Sequence, residues 1–328
     1  MRRDRDRLDT LQAVSQGYQI RDAAIVDYRL WQLQGATDWL RGPQPPALAP
    51  GSYIACVGAA QTFGCFVETP WPQLLAGRLC IPTLNLGIAG AGPALFQQQP
   101  FATLLANARA VVFQVLSGRS ADCSRFRSGG RERLTLRSDG RVLAADDAWR
   151  EVLHADLAGW RAPLLRGLRN RWLGRYGRHH VQQLVQETQT DWLAQFHRLL
   201  AGTSVPKVLL WWSRRTPQHQ PRFHSLAALF GDYPQLIDAP MVHALAGRCD
   251  AYVECVTKRG SPQLLRDRST GEPTSVTPAA ASTGEAAHVR WTHNAYYPSP
   301  EMHADAADAL LEPLRQLLAQ RGSAATRS

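Results

Sequence analysis

Five short apolar runs constrain this chain more than any other feature: Tyr53 to Val57 (YIACV), Thr83 to Leu86, Ala110 to Leu116 (AVVFQVL), Val205 to Trp212 (VPKVLLWW) and Asp250 to Val256 (DAYVECV). A strand that is half solvated alternates apolar and polar side chains, whereas YIACV does not, so it reads as a strand buried on both faces. The first three lead into glycine-bearing loops, GAAQTFG, GIAGAG and SGRS, and helical periodicity follows in WPQLLAGRL and near Pro93 to Asn107. Strand, loop and helix in repetition predict an α/β fold of three layers, with a five-stranded parallel sheet covered by helices on both faces.

The same reading divides the chain. Apolar residues at helical spacing between Leu8 and Trp39 predict a helical lead-in that ends in the cluster Gly42 to Pro50, so residues 1–50 form an N-terminal extension and 51–320 the α/β domain. Within the domain, about 119–203 reads as an insertion, with a hairpin turning at Asp139-Gly140 and then Trp-rich and Arg-rich helical stretches. Residues of about 257–290 are rich in Ser, Thr, Pro, Gly and Ala, without periodicity, and predict a loop or linker. A helix from Met302 to Gln320 closes the domain, and 321–328 are expected to be a disordered tail.

Charge and cysteine content limit the function classes. The balance of 37 Lys+Arg against 27 Asp+Glu gives +10, carried nearly all by arginine, which suits an anionic partner. The opening MRRDRDRLD is too charged for a signal peptide and no apolar run approaches the ~18–20 residues of a membrane span, so a cytoplasmic protein without a transmembrane segment is expected. Six cysteines without a C-x-x-C pair suggest reduced thiols, neither a zinc site nor a disulfide framework. The stretch WRAPLLRGLRNRWLGRYGRHH at 160–180 carries six arginines and no acid. It suits an anionic surface or simple docking of the insertion, and no nucleic-acid module signature accompanies it. No metal is expected, since His179-His180 lacks an H-E-x-x-H frame; no cofactor is expected either, since GIAGAG departs from the G-x-G-x-x-G spacing and a P-loop is missing. Oligomeric state leaves no trace in the composition.

In an open parallel sheet, ligands bind beyond the carboxyl ends of the strands, which places the candidate site at these loops. Gly58, Gly64, Gly87, Gly90 and Gly92 permit close backbone approach, either for amide donors to an anion or for loop packing alone. Arg119 and Arg214, with its neighbour Arg215, follow strands where a planar fork can grip an anion; salt bridges to Asp122 or Asp238 are the structural alternative. Candidate hydroxyls and thiols are Thr62, Cys65, Ser117 and Ser120. His303 is the candidate base, with Glu301 nearby and Tyr297 as a pocket wall; a capping or surface histidine is the alternative.

The order GAAQTFG, WPQLLAGRL, NLGIAGAG, VVFQVLSGRS and then His303 at the start of the last helix resembles the SGNH or GDSL-type hydrolase family over most of Tyr53 to Gln320. The resemblance implies five parallel strands in flavodoxin-like order. Its first block, G-D-S-x-T-x-G, falls on Gly58 to Gly64, so the nucleophilic serine position is Ala60, followed by Gln61. Its oxyanion glycine matches Gly90, its asparagine falls near Arg119 or Ser120, and its aspartate and histidine fall on Pro300 and His303. The strings GAAQTFG, NLGIAGAGP, QVLSGRS and YYPSPEMH are also similar to an uncharacterised bacterial domain family of unknown function. A methyl group can neither attack a carbonyl nor hold a proton chain, so serine acyl transfer is not expected. The expected role is binding of a small anionic or carbohydrate-linked ligand at the strand ends. Alternatives are a non-standard esterase or transferase that uses His303 with water or another nucleophile, Cys65 included, and a basic interaction module.

Overall fold

A computed structural model describes residues 22–45, 48–157, 168–222, 225–277 and 290–325, with side chains described outside 155–157, 168–178 and 321–325. In chain order the elements are β1 (Trp31–Gln32), β2 (Trp39–Leu40), β3 (Ile54–Gly58), α1 (Ala60–Phe63), α2 (Trp71–Leu79), β4 (Thr83–Gly87), α3 (Phe101–Ala106), β5 (Ala110–Gln114), β6 (Phe126–Arg127), β7 (Arg133–Leu136) and β8 (Val142–Ala144). They continue with α4 (Ala145–Leu157), α5 (Leu168–Ala201), β9 (Lys207–Ser213), α6 (Leu226–Phe230), α7 (Ala239–Ala246), β10 (Ala251–Val256), β11 (Gln263–Leu264), β12 (His293–Asn294) and α8 (Pro300–Ala325).

The five apolar runs form one parallel sheet of order β10-β9-β5-β3-β4, flanked by helices. In chain order this is 2-1-3-4-5, the flavodoxin-like arrangement with its switch point between the first and third strands. Every residue of β3 and β5 is buried, which is why neither run alternates.

The chain divides into two compact units, one made of the segments up to Ala89, Asn107–Val112 and from Thr257 onward, the other of Gly90–Ala106 and Phe113–Val256. In the first unit α8 packs on α2. Its start is set by Ser299-Pro300: proline suits the first helical turn, and Ser299 Oγ accepts the Met302 N–H at 3.2 Å. This cap fixes His303 on the first turn.

In the second unit β6, β7 and β8 form an antiparallel sheet that turns at Asp139-Gly140, with Gly140 at φ 77°. Around it Phe126, Trp149 and Phe230 stack edge to face, 5.3 and 5.8 Å between centroids, in a cluster with Val181 and Leu184 of α5. Two acids of α5 reach back to the loop after β5: Asp191 accepts the Asp122 N–H and Glu187 the Ser124 N–H, each at 2.8 Å.

Three expectations need correction. Residues 22–45 hold a single 3-10 turn at Asp22–Ala24 and the β1–β2 pair in place of a helical lead-in; residues 8–21 lie outside the described residues. Tyr28 and Trp31 are buried by sheet pairing and loop packing, not by a helix stripe. The expected linker is ordered over 257–277, because Leu265 and Val276 are buried and Leu265 exchanges backbone hydrogen bonds with Thr292 and Thr274; its remainder, 278–289, lies outside the described residues. The last helix runs through 321–325, where a tail was expected, and 326–328 lie outside the description. Of the basic stretch 160–180, residues 160–167 are likewise outside, and 168–178 are described only as backbone of α5. No described helix is long and apolar enough to cross a membrane.

One close approach ties the sheet to the site. A Cβ on Gly87 would lie 2.1 Å from Phe63 N and 2.6 Å from Phe63 Cα, both backbone of α1. Gly77, exposed within α2, has nothing within 4 Å of its ideal Cβ. Gly87→Ala is therefore expected to cost about 1–3 kcal/mol or more in urea melts, and Gly77→Ala to add about 0.5–1 kcal/mol. Equal effects at the two sites would contradict the close approach.

Candidate functional site

The tip of β3 is built by short-range geometry. After Gly58 the chain makes the single turn α1 and stops at Gly64, whose left-handed φ of 85° lets its N–H reach the carbonyls of Ala60 and Gln61. Asn85, a polar residue inside β4, braces this turn. Its Nδ2 donates to Thr62 O at 3.0 Å, and its Oδ1 accepts from Gly87 N at 2.8 Å. Thr62 is fully buried and its Oγ1 accepts the Trp71 indole N–H at 3.3 Å, so its hydroxyl serves the fold and does not face a ligand.

Ala60 occupies the turn expected for the nucleophile position, and it is buried there. It is 8% exposed and lies in an apolar cluster with Ile25, Val26, Tyr28, Phe63, Cys65 and Phe66, and with Leu265 and Val276 from the late segment. Gln61, expected beside an oxyanion, is buried as well. Cys65, the thiol considered as a nucleophile, has no exposed surface and points its Sγ at Ala60 O, 3.5 Å away. A core thiol directed at a carbonyl is a small apolar residue, not an attacking group. Tyr297, expected as a pocket wall, is half-buried and packs its ring on Phe66, 5.9 Å between centroids.

The cover over Ala60 is held by Tyr28 and Arg41. Tyr28 OH donates to Asp22 Oδ2 at 2.8 Å and accepts the Phe66 N–H at 3.0 Å, while its ring meets Phe63 edge-on at 4.8 Å. Arg41, 3% exposed, lies 4.7 Å over the Tyr28 ring and donates to three carbonyls of the next turn: Gly64 at 3.4, Val67 at 2.9 and Glu68 at 2.8 Å. Burial raises the Tyr28 hydroxyl well above its ordinary value, helped by Cys65 and Asp22, and burial lowers the Arg41 guanidinium from its own.

His303 is brought under this cover, and its surroundings are unlike those of a catalytic base. The ring is fully buried, and its Nδ1 accepts the backbone N–H of Trp71 at 3.0 Å. Burial, and then the nearby charge of Arg41, push its pKa down to about 3, so the ring is neutral at ordinary pH. A neutral imidazole whose Nδ1 accepts must carry its proton on Nε2. A general base needs the reverse, with Nδ1–H held by an acceptor and Nε2 open to take a proton. The expectation of His303 as a base is corrected on this ground. Glu301 does not supply the missing acceptor, since its carboxylate lies against Gly260.

In the second unit the expected anion grip is filled from within the chain. Arg119, 8% exposed, donates Nη2 to Glu132 at 2.7 Å and Nη1 to Asp146, and its Nε reaches Ser117 Oγ at 3.2 Å. Both arms of the fork are spent on carboxylates, which corrects its reading as a ligand-binding residue; the partners are Glu132 and Asp146, where Asp122 or Asp238 was expected. Ser117 caps a second 3-10 turn, Gly118–Ser120, by accepting the Arg119 N–H, and Ser120 Oγ donates to Ser117 O at 3.0 Å, so both hydroxyls are structural. Gly90, at φ 68°, accepts the Glu132 N–H through its carbonyl at 2.8 Å. Arg214 is half-buried. Its neighbour Arg215 donates to the carbonyls of Asp232, Pro234 and Ile237 at 3.0, 2.6 and 2.8 Å and stacks on Trp211, so it ties down a loop. Among the described residues no group of three or more His, Cys, Asp and Glu is placed to hold a metal ion.

Sequence reasoning missed Arg41, Tyr28, Trp71 and Asn85. Asn85 carries a legible signal, a lone amide in an apolar strand, whereas Trp71 acts through its backbone and leaves none.

The His303 geometry has a pH consequence. Its folded value is depressed from the ordinary 6.5 to about 3, so between these values the unfolded chain takes up a proton that the folded chain refuses. The contribution of His303 to stability is therefore complete above pH 6.5 and is lost progressively as pH falls toward 3. Denaturant melts at about pH 7.5 and 4.5 are expected to show a larger acid loss in the native chain than in His303→Gln, whose amide oxygen can still accept the Trp71 N–H. Equal losses would contradict the neutral buried ring.

The sequence profile of a domain of unknown function, DUF6473, matches residues 17–318. No curated protein matches the chain. Among solved structures, it is similar to a possible lipase from Chitinophaga pinensis at 14% identity, over 81% of this chain and 98% of that one, with a TM-score of 0.34. A carbohydrate esterase family 2 enzyme with a carbohydrate-binding domain, from Corynascus thermopiles (Myceliophthora fergusii), aligns at 13% identity over 85% and 69%, with a TM-score of 0.35. A Lactobacillus plantarum protein aligns at 13% over 82% and 98%, with a TM-score of 0.31. With its profile match spanning nearly the whole α/β region and the segment that covers Ala60, the chain belongs to the DUF6473 family.

Proposed function

We propose that this chain is a binding domain on a hydrolase-like α/β core, and that the tip of its first central strand does not carry out acyl transfer. The observation that carries this reading is the pairing of a sealed methyl position with a histidine held in the wrong tautomer. Ala60 is packed under Tyr28 and Phe66, and the Nδ1 of His303 is occupied by the Trp71 N–H. Three separate changes would be needed to restore a serine hydrolase here: a hydroxyl at position 60, an open approach to it, and a ring turned to present a lone pair on Nε2.

His303 acts in this account as a buried hydrogen-bond acceptor and a positioning residue that joins α8 to the start of α2 through the Trp71 N–H. Three of the arginines are drawn inward in the same way: Arg41, Arg119 and Arg215 spend their donors on the protein. The ligand is small and polar, with an anionic or carbohydrate-derived group among the candidates for what it presents, and it is released unchanged. No observation among the described residues favours the basic interaction module.

The purified chain is expected to hydrolyse p-nitrophenyl acetate and butyrate no faster than a heat-denatured blank. Ala60→Ser is expected to stay at the blank rate, because the new hydroxyl is covered by apolar side chains and the Nδ1 of His303 already accepts the Trp71 N–H. Turnover above the blank that His303→Ala abolishes and Cys65→Ala leaves intact would contradict the proposal and establish a water-activating enzyme.

A further inference from the structure

The first unit carries a groove of about 690 Å³ whose chemistry the sealed strand tip does not use. Its lining includes Phe66 and Leu264, and its charged groups are Glu68, Glu301 and, on one segment, Arg266, Asp267 and Arg268, of which Asp267 spends its carboxylate on Ser269 and Thr270. Arg266, bridged to Pro273, and Arg268, at the start of the turn that follows, both line this groove. Among the described residues Arg266 gives Nη1 to Gly271 O at 2.9 Å and keeps its other donors, and the side chain of Arg268 makes only a loose pair with Asp27 at 3.6 Å.

Glu301 is set differently from an ordinary surface acid. It stands on the first turn of α8, and its carboxylate presses on Gly260: a Cβ there would lie 1.9 Å from Oε2. Gly260 also has a left-handed φ of 66°, which favours glycine, and the carboxylate rests in the notch that it leaves on the groove wall. Among the described residues Glu301 forms no hydrogen bond or ion pair, and Glu68 has only a loose, exposed one with Arg29 at 3.5 Å.

Such a lining discriminates by charge. A simple anion would gain from the arginines and be repelled by the carboxylates, a simple cation would meet the converse, and a molecule with both charges meets an opposite charge at each pole. The volume falls in the usual range for small-ligand sites, about 300–1,000 Å³, and exceeds the needs of a single amino acid. We propose that this groove binds a molecule bearing both an ammonium and a carboxylate, a short peptide or a free amino acid, with the carboxylate on Arg266 and Arg268 and the ammonium on Glu68 and Glu301. The inference rests on the reading of the chain as a binding domain, and it names the ligand class.

Titration calorimetry of the full chain tests it with trialanine, N-acetyl-trialanine, trialanine amide, L-alanine and N-acetylglucosamine. Trialanine is expected to bind saturably, with either terminal cap weakening it by about tenfold or more, since each removes a charge-assisted contact. Glu301→Gln and Arg266→Gln, both at exposed positions, are expected to weaken trialanine to a similar degree with unchanged melting temperatures. Binding of L-alanine as tight as that of trialanine assigns the site to free amino acids and supports the proposal equally. Capped and uncapped peptides of equal affinity, or no saturable binding of either zwitterion, would overturn it. N-acetylglucosamine binding without trialanine binding would overturn this inference and leave the binding-domain reading standing, whereas that reading fails separately, on ester turnover.

Discussion

The guanidinium of Arg41, seated on the ring of Tyr28 and bonded to the carbonyls of Gly64, Val67 and Glu68, is the contact on which the architecture of the first unit turns. It takes a turn that would otherwise expose three carbonyls at the end of a buried strand and closes it with one cation. Removing the charge would leave the buried Val67 carbonyl without this donor, at about 1–3 kcal/mol, while the Gly64 carbonyl keeps the Val67 N–H at 3.2 Å. Tyr28 extends the same closure through its hydroxyl, which joins Asp22 to the Phe66 amide. Everything beneath inherits a dry environment: Ala60 becomes a core residue, Cys65 a core thiol, and His303 a neutral ring.

This changes what the positive charge of the chain means. A surplus of arginine commonly points outward, to phosphates or acidic partners. Here three arginines near the ends of sheet strands or in their cover act as internal fasteners. Arg41 and Arg215 hold carbonyls and lie over aromatic rings, and Arg119 clamps two carboxylates. The planar fork of arginine is suited to this because it satisfies several acceptors at fixed angles with a weakly hydrated charge. Binding capacity must then be sought where opposite charges remain exposed together, as they do in the groove beside Gly260.

Much of the fold was legible in the sequence, and the reason is that buried parallel strands leave an unmistakable trace. YIACV, AVVFQVL and VPKVLLWW could not alternate, because both faces of each strand are covered, and WPQLLAGRL forms the helix its spacing predicts. The Asp139-Gly140 turn was equally plain from its residue types. The lead-in was not legible, since Tyr28, Trp31 and Leu40 are apolar for reasons of loop closure and mimic a helix period. At the site, residue identity revealed the missing hydroxyl at position 60. It could not reveal the orientation of His303, which is set by a backbone N–H, nor that Arg119 would find its partners 13 and 27 residues downstream.

The central claim is that the His303 ring is neutral with its proton on Nε2, under a closed cover. Nitrogen-15 correlation NMR of the histidine side chains, with His303 assigned through the His303→Gln variant, reads this directly between pH 5 and 8. The account predicts a protonated Nε2 and an unprotonated Nδ1 whose shifts stay constant across that range. A ring protonated on Nδ1, or one that titrates near neutrality, would contradict it.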